Sequence, residues 1–240
     1  MLVYDNQEYT CIIRQLPDFV QRDQYGIPVI EPENIDISDI NNGKWLINLS
    51  NATSGAKNRE CKIVHCFAED KMLWKKYNTP YRFLEQVSEY YAVASLDFSM
   101  DEEMVEAQLI GATFRNRWSG AFLQVHGKRA IPTVGWTTEK FYDITFSGLR
   151  DGGTFMISTM NVKEDGREQM FLRGYREMRK RFPHTKLVCV GNPLKGMDDD
   201  ICYVKFYRES FGSWDRNPEK AFWQPGLFNW DGSAANLGGM

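Results

Sequence analysis

The stretch YYAVASLDFS, residues 90–99, decides the fold because it reads as a buried strand that ends on polar residues. Small and branched apolar residues run almost without alternation up to Leu96, which is typical of a strand covered on both faces in a parallel sheet. An acid, a ring and a hydroxyl follow at Asp97, Phe98 and Ser99. Ligands bind at the carboxyl ends of parallel strands, so Asp97 is a candidate functional group.

Further apolar runs of strand length lie on both sides of this stretch. They cover residues 44–50, 62–69, 129–136, 153–159 and 186–192. Segments with helical spacing lie between the runs, at 72–90, 100–126 and 165–182. The alternation predicts an α/β protein with a mostly parallel sheet, open or curled into a partial or distorted barrel, with helices packed on it.

Composition divides the chain into three parts. Residues 1–45 are rich in Pro, Gly and acids, which predicts an irregular N-terminal arm packed on the domain. Residues 46–212 form a single α/β domain, and residues 213–240 form an aromatic, irregular C-terminal tail. We expect the tail rings Trp223, Phe228 and Trp230 to be buried, because burial of one large ring contributes roughly 1.5 to 3 kcal/mol.

The overall composition excludes several classes of protein. The 240 residues are 42% hydrophobic, enough for a core without disulfides, and the net charge of -3 does not favour nucleic-acid binding. The five cysteines lack CxxC spacing, which predicts reduced thiols and no metal site. We expect a cytoplasmic protein of the host cell with no membrane segment. No cofactor is predicted, because the sequence lacks Walker A, GxGxxG, GxSxG and HExxH motifs.

Two explanations account for Asp97. Ser99 and Glu102 have the spacing of a capping box, which predicts a helix from Met100, and Asp97 could bind backbone amides of the same turn. Alternatively, Asp97 is a catalytic base or proton acceptor at the strand end.

Five other residues are candidates for ligand binding. Arg115 and Arg117 either pair with carboxylates such as Asp97 or clamp a phosphate. Gln124 offers an orienting amide, and Asn161 follows the run 153–159. Trp136, at the end of the run 129–136, either forms a stacking wall or fills the rim of the core.

Several of these segments, taken in order, resemble an uncharacterised protein family of phages and mobile elements, known only as a domain of unknown function. Its pattern contains P-D-F-S, R-x-R-x-x-G-x-Y-W-Q-x-x-G, I-P-x-V-x-W and F-x-x-G-x-x-x-M. The matching residues here are Asp97-Phe98-Ser99; Arg115, Arg117, Gly120, Gln124 and Gly127; Ile131-Pro132, Val134 and Trp136; and Phe171, Gly174 and Met178. Three places depart from the pattern: Leu96 replaces the proline, Phe122-Leu123 replaces Tyr-Trp, and Gly135 stands where an arginine is frequent. The resemblance implies a phage or mobile-element setting and no particular activity.

Three functions remain open on this evidence. The first is a strand-end pocket that binds or processes a small phosphorylated or nucleotide-like ligand around Asp97. The second is a nucleic-acid-binding accessory protein that uses the basic residues of the helix at 165–182. The third is a protein-binding factor that blocks a host component through the aromatic tail. The sequence does not decide whether the protein is an enzyme.

Overall fold

Parallel strands that follow one another in chain order form the centre of the protein. The computed structural model describes residues 13–35, 45–163, 166–204 and 222–223. The strands are β1 (Trp45–Asn48), β2 (Lys62–His65), β3 (Ala92–Ala94), β4 (Ala130–Ile131), β5 (Thr154–Ser158), β6 (Lys186–Val190), β7 (Cys202–Val204) and β8 (Phe222–Trp223). The α-helices are α1 (Asp70–Asn78), α2 (Pro80–Gln86), α3 (Glu106–Val125), α4 (Tyr142–Thr145) and α5 (Glu168–Arg181). Short 3₁₀ helices lie at Arg59–Cys61 and Glu139–Phe141.

The strands form two sheets that are joined edge to edge. The first has the order β1-β2-β3-β4 and is parallel throughout; the second has the order β5-β6-β7-β8, and only β8 is antiparallel. A parallel bridge between Thr133 and Met156 connects them, with Val134 N donating to Met156 O at 2.9 Å.

Side chains from seven strands share one apolar cluster, which shows that the two sheets curl around a common centre. Its strand members are Leu46, Ile63, Ala92, Ala94, Ile131, Met156, Val188, Val190, Cys202 and Val204. The strands that the structure describes do not close into a barrel. The predicted α/β class with a mostly parallel sheet is therefore confirmed.

Two predicted helices have different bounds in the structure. The predicted helix 72–90 is divided between α1 and α2 at Thr79, because Pro80 has no amide N–H to continue α1 and instead occupies the first turn of α2. The predicted start at Met100 is wrong, because the Ser99 amide and hydroxyl bond the Asp70 carboxylate at 3.1 and 3.0 Å. Helix α3 begins instead at Glu106.

The described part of the predicted arm packs against α3 and bonds the start of β5, where the Ile35 amide donates to Thr154 Oγ1 at 3.1 Å. Leu16, Ile27, Ile30 and Ile35 are buried. Ile30 lies against Gly120 of α3, where a Cβ would come within 2.4 Å of the Ile30 Cδ1 atom. The boundaries at 45 and 212 stay predictions, and most of the predicted tail lies outside the described residues. Within it, residues 222–223 pair with β7 as β8.

The four cysteines that the structure describes, Cys61, Cys66, Cys189 and Cys202, are free thiols. Among the helices that the structure describes, none has both the length and the apolar character needed to cross a bilayer.

A tight contact between Trp136 and Gly174 attaches α5 to the second sheet. The Trp136 indole N–H donates to the carbonyl of Phe171 at 3.1 Å, and its ring lies against the backbone of α5. A Cβ at Gly174 would lie 2.1 Å from the Trp136 Cδ1 atom, a distance that no relaxed structure tolerates. Two segments of the sequence pattern, I-P-x-V-x-W and F-x-x-G-x-x-x-M, therefore meet in the core.

Gly174→Ala should lower the free energy of unfolding by about 2 kcal/mol or more, because the methyl group displaces Trp136. Gly111→Ala in α3 is the matched control, since its nearest neighbour is the flexible Arg115 Nη1 at 3.3 Å. The control should gain up to about 1 kcal/mol from helix propensity. Urea unfolding of both variants checks this, and equal stabilities would contradict the packing.

Candidate functional site

The turn after β3 carries Asp97 and is held in place by side chains of two helices. The amide of Leu96 donates to Ser119 Oγ at 2.9 Å, and the amide of Phe98 donates to Asn116 Oδ1 at 2.8 Å. The next amide, at Ser99, bonds Asp70 of α1. Side chains of α3 and α1 thus accept the hydrogen bonds of these three backbone amides, and the Asp97 carboxyl is not their acceptor. This counts against the explanation that Asp97 is there to bind the amides.

The Asp97 carboxyl lies in an environment that shifts its titration to neutrality. The residue is half-buried, and burial raises its pKa to about 7, with the negative charge of Asp70 adding to the rise. The charge of Arg117 and the hydroxyl of Thr133 act in the opposite direction. Near pH 7 the carboxyl therefore occupies both protonation states, as a general acid or base requires.

Arg117 is a fixed, fully buried cation close to this carboxyl. Its guanidinium donates to three main-chain carbonyls, those of Ser147 at 2.9 Å, Thr133 at 2.7 Å and Thr145 at 2.9 Å. Burial lowers its pKa to about 10, while Asp97 opposes the change, so the side chain stays charged at neutral pH. Its hydrogen bonds to the main chain give it a structural role in addition to its electrostatic one.

Arg115 lies two residues before Arg117 on α3 and points to a different side of the helix, between two aromatic rings. Its guanidinium carbon is 4.8 Å from the Trp74 ring centroid and 5.0 Å from that of Phe98. Burial lowers its pKa, and Asp70 is among the groups that oppose this. The Arg115 Nε is buried and has no hydrogen-bond partner among the residues that the structure describes. Asp70 therefore acts on both Asp97 and Arg115. Arg115 lies against the ring of Phe98, the residue that follows Asp97.

Trp74 of α1 is a functional candidate that the sequence analysis missed. Its side chain is 42% exposed, although its edge packs against Phe98 and Tyr77 with centroid distances of 5.0 and 5.9 Å. The residue lies mid-helix and not at a strand end, so a search of strand ends does not reach it. The signal available in the sequence was a tryptophan next to Leu73 within the predicted helix 72–90. Two adjacent residues face different sides of a helix, and Leu73 is the buried one.

The other three predicted site residues do not join this cluster. Gln124 lies at the opposite edge of the sheet, where its amide bonds the N–H and C=O of Glu31 at 3.0 and 2.8 Å. Trp136 is 8% exposed and packs in the core of the second sheet. Asn161 is exposed, with φ at 61°, in the turn after β5 and two strands from β3.

The thiol next to the cluster is chemically inert. Cys66 is fully buried and donates to the Ala94 carbonyl at 3.2 Å. Burial raises the pKa of the thiol, and Asp97 adds to the rise, so it stays protonated and is not a nucleophile. Within the described ranges, no three His, Cys, Asp or Glu side chains converge to hold a metal ion.

Comparison with known proteins assigns the chain to a family. Residues 19–208 match the family described as a domain of unknown function, DUF4417. The chain belongs to the DUF4417 family. The predicted resemblance to an uncharacterised phage family is thereby confirmed, and the match to DUF4417 includes the Asp97 turn, α3 and α5.

Two phage proteins are similar to this DUF4417 chain. The Gene 1 protein of Mycobacterium phage L5 is 32% identical over 155 residues, which cover 64% of this chain and 66% of that protein. The Gene 1 protein of Mycobacterium phage D29 is 31% identical over 155 residues, 64% of this chain and 56% of that protein. The chain thus spans less than two thirds of either relative. No solved structure matches it. The relatives support the bacteriophage association.

Asp97→Asn should become more stable relative to the wild type as the pH rises. A raised carboxyl pKa in the folded state means that the wild type loses stability as pH rises from about 4, the unfolded value, to about 7. Asparagine does not ionise, so the difference in unfolding free energy should grow over this range and then level off.

Urea unfolding at several pH values measures this difference. Asp18→Asn, at an exposed position of the arm, is the matched control and should show no such trend. A difference for Asp97→Asn that is constant from pH 4 to 8, within about 0.5 kcal/mol, would show that the carboxyl titrates normally.

Proposed function

We propose that Asp97, Arg115 and Trp74, here called the Asp97 site, bind a small phosphorylated or nucleotide-like ligand and exchange a proton with it. The observation that carries the proposal is a half-buried carboxyl with a pKa of about 7 at the carboxyl end of a parallel strand. Perturbed carboxyls of this kind are concentrated at functional sites.

The position of Arg115 indicates that the ligand has an anionic group. Its guanidinium is held flat by Trp74 and Phe98, so little side-chain entropy is lost when a ligand binds. The residue is only partly buried, so part of the side chain remains accessible to a ligand. Arginine also binds phosphate oxygens through two parallel hydrogen bonds.

Trp74 supports a planar group on the same ligand. A partly exposed indole next to a cation is a stacking platform, and stacking of one base on an aromatic ring is worth roughly 1 to 3 kcal/mol. A ligand that has both an anionic group for Arg115 and a planar ring for Trp74 is a nucleotide and not free phosphate.

Asp97 would accept or donate the proton in any reaction of the ligand. Because it occupies both forms near neutrality, it can act as a general base and regain its proton within one cycle. Arg117 stabilises the ionised form without leaving its carbonyl partners, so the local charge does not depend on side-chain movement.

The two alternative functions have weaker support. On the basic helix α5, Arg179 is bonded to Asp198 and Asp200 at 2.8 and 2.9 Å, which neutralises part of the charge that nucleic acid would need. The aromatic tail, on which a host-blocking role depends, lies mostly outside the described residues.

Thermal denaturation with nucleoside mono-, di- and triphosphates and with inorganic phosphate tests the Asp97 site. A ligand at about one hundred times its Kd adds about 2.7 kcal/mol to stability, which raises Tm by roughly 5 to 10 °C in a chain of this length. Arg115→Gln should abolish the shift, and Asp97→Asn should remove its dependence on pH around neutrality.

Arg82→Gln is the matched control, since it removes an exposed arginine from α2 and should leave the shift unchanged. Absence of any shift with the wild type, or a shift that survives in Arg115→Gln, would refute the proposal.

A further inference from the structure

A groove on the outer side of α5 forms a second surface with its own chemistry. It has a volume of about 440 Å³ and runs between α5 and the segment that contains the 3₁₀ helix Glu139–Phe141 and α4. The residues used below are Glu139, Tyr142, Arg173, Arg176, Glu177 and Lys180. The groove is built on the second sheet's helix and shares no residue with the Asp97 site.

The Tyr142 hydroxyl is an unused hydrogen-bonding group in this groove. The residue is 6% exposed, and its hydroxyl has no hydrogen-bond partner among the residues that the structure describes. Burial raises its pKa, Glu139 adds to the rise, and Arg173 opposes it, so both charged groups lie near the hydroxyl. A hydroxyl with no acceptor of its own can donate a hydrogen bond to a ligand oxygen.

A ligand can easily displace the exposed ion pair between Arg173 and Glu139. Arg173 and Glu139 are 3.3 Å apart, and their side chains are 52% and 70% exposed. Exposed pairs of this kind contribute little to stability, so an incoming carboxylate can replace Glu139 on Arg173. The same carboxylate could then accept a hydrogen bond from Tyr142.

The cations along the groove are arranged in a line. Arg173, Arg176 and Lys180 are spaced i, i+3 and i+7 on one face of α5, which spreads them over about 10 Å. Arg176 is exposed and forms no ion pair within the described part of the chain. Lys180 is 79% exposed, and its ion pair with Glu177 is long, at 3.8 Å. A line of cations fits an extended ligand better than a single small anion.

We infer that this groove binds an acidic segment of a partner protein, with one carboxylate on Arg173 and Tyr142 and others on Arg176 and Lys180. Glu139 and Glu177 place negative charge between the cations, which opposes a uniform polyphosphate backbone. A protein segment can place a carboxylate opposite each cation and a neutral residue opposite each acid. Complementary charge of this kind gives specificity as well as attraction.

Fluorescence anisotropy of a labelled octapeptide of alternating Glu and Ala at low salt tests the inference on the full chain, because its carboxylates are separated by neutral residues. Arg173→Gln combined with Arg176→Gln should weaken binding by more than either single change. Glu139→Gln should strengthen binding roughly two- to five-fold, because it removes the competing carboxylate. Arg82→Gln on α2 is the matched control and should have no effect.

Tyr142→Phe separates binding from folding. It removes a buried hydroxyl without a partner among the described residues, so Tm should stay the same or rise, while binding of the octapeptide weakens. Equal affinity for the octapeptide in wild type, Glu139→Gln and Tyr142→Phe would overturn the inference. Tighter binding of an oligothymidylate of equal charge, lost in the arginine double variant, would also overturn it and would identify the groove as a nucleic-acid surface.

Discussion

The guanidinium of Arg117 is the interaction on which the rest of the structure depends. From the middle of α3 it bonds the carbonyl of Thr133 beyond β4 and those of Thr145 and Ser147 at the end of α4. It thereby links the helix to the segment where the first sheet meets the second. Its aliphatic stem also lies against Gly148, whose carbonyl accepts the amide of Ile30 from the N-terminal segment. Removing a buried charge of this kind from its partners typically costs about 3 to 5 kcal/mol.

The same cation helps to set the pKa of Asp97. Burial alone would keep a carboxyl protonated through the physiological range, whereas a nearby positive charge favours the ionised form. The two effects leave Asp97 with a pKa of about 7. Arg115, two residues earlier on α3, faces the rim and is stacked on Trp74. One helix thus supplies a structural cation to the interior and a second cation to the position where a ligand would bind.

Much of the fold was predictable from local pattern, and most of the site was not. The apolar runs marked the parallel strands, and the helical spacing at 165–182 predicted α5, on which Phe171, Tyr175 and Met178 are buried. The remaining features depend on bonds between distant segments. Gln124 was expected near the ligand, yet it bonds the backbone of Glu31, 93 residues earlier in the chain. Similarly, Ser99 has the sequence of a helix cap, but its hydroxyl bonds Asp70. A pattern within a short window cannot report a partner that only the folded topology brings close.

The most direct test of this account is the pKa of Asp97, measured by ¹³C NMR of the side-chain carboxyl in protein labelled at aspartate, with Asp97→Asn used to assign the resonance. The account predicts a midpoint about three units above that of an ordinary aspartate, at about 7. A midpoint near 4 would show that the carboxyl is solvated. In that case neither the balance between burial and Arg117 nor an acid–base role for Asp97 could be maintained.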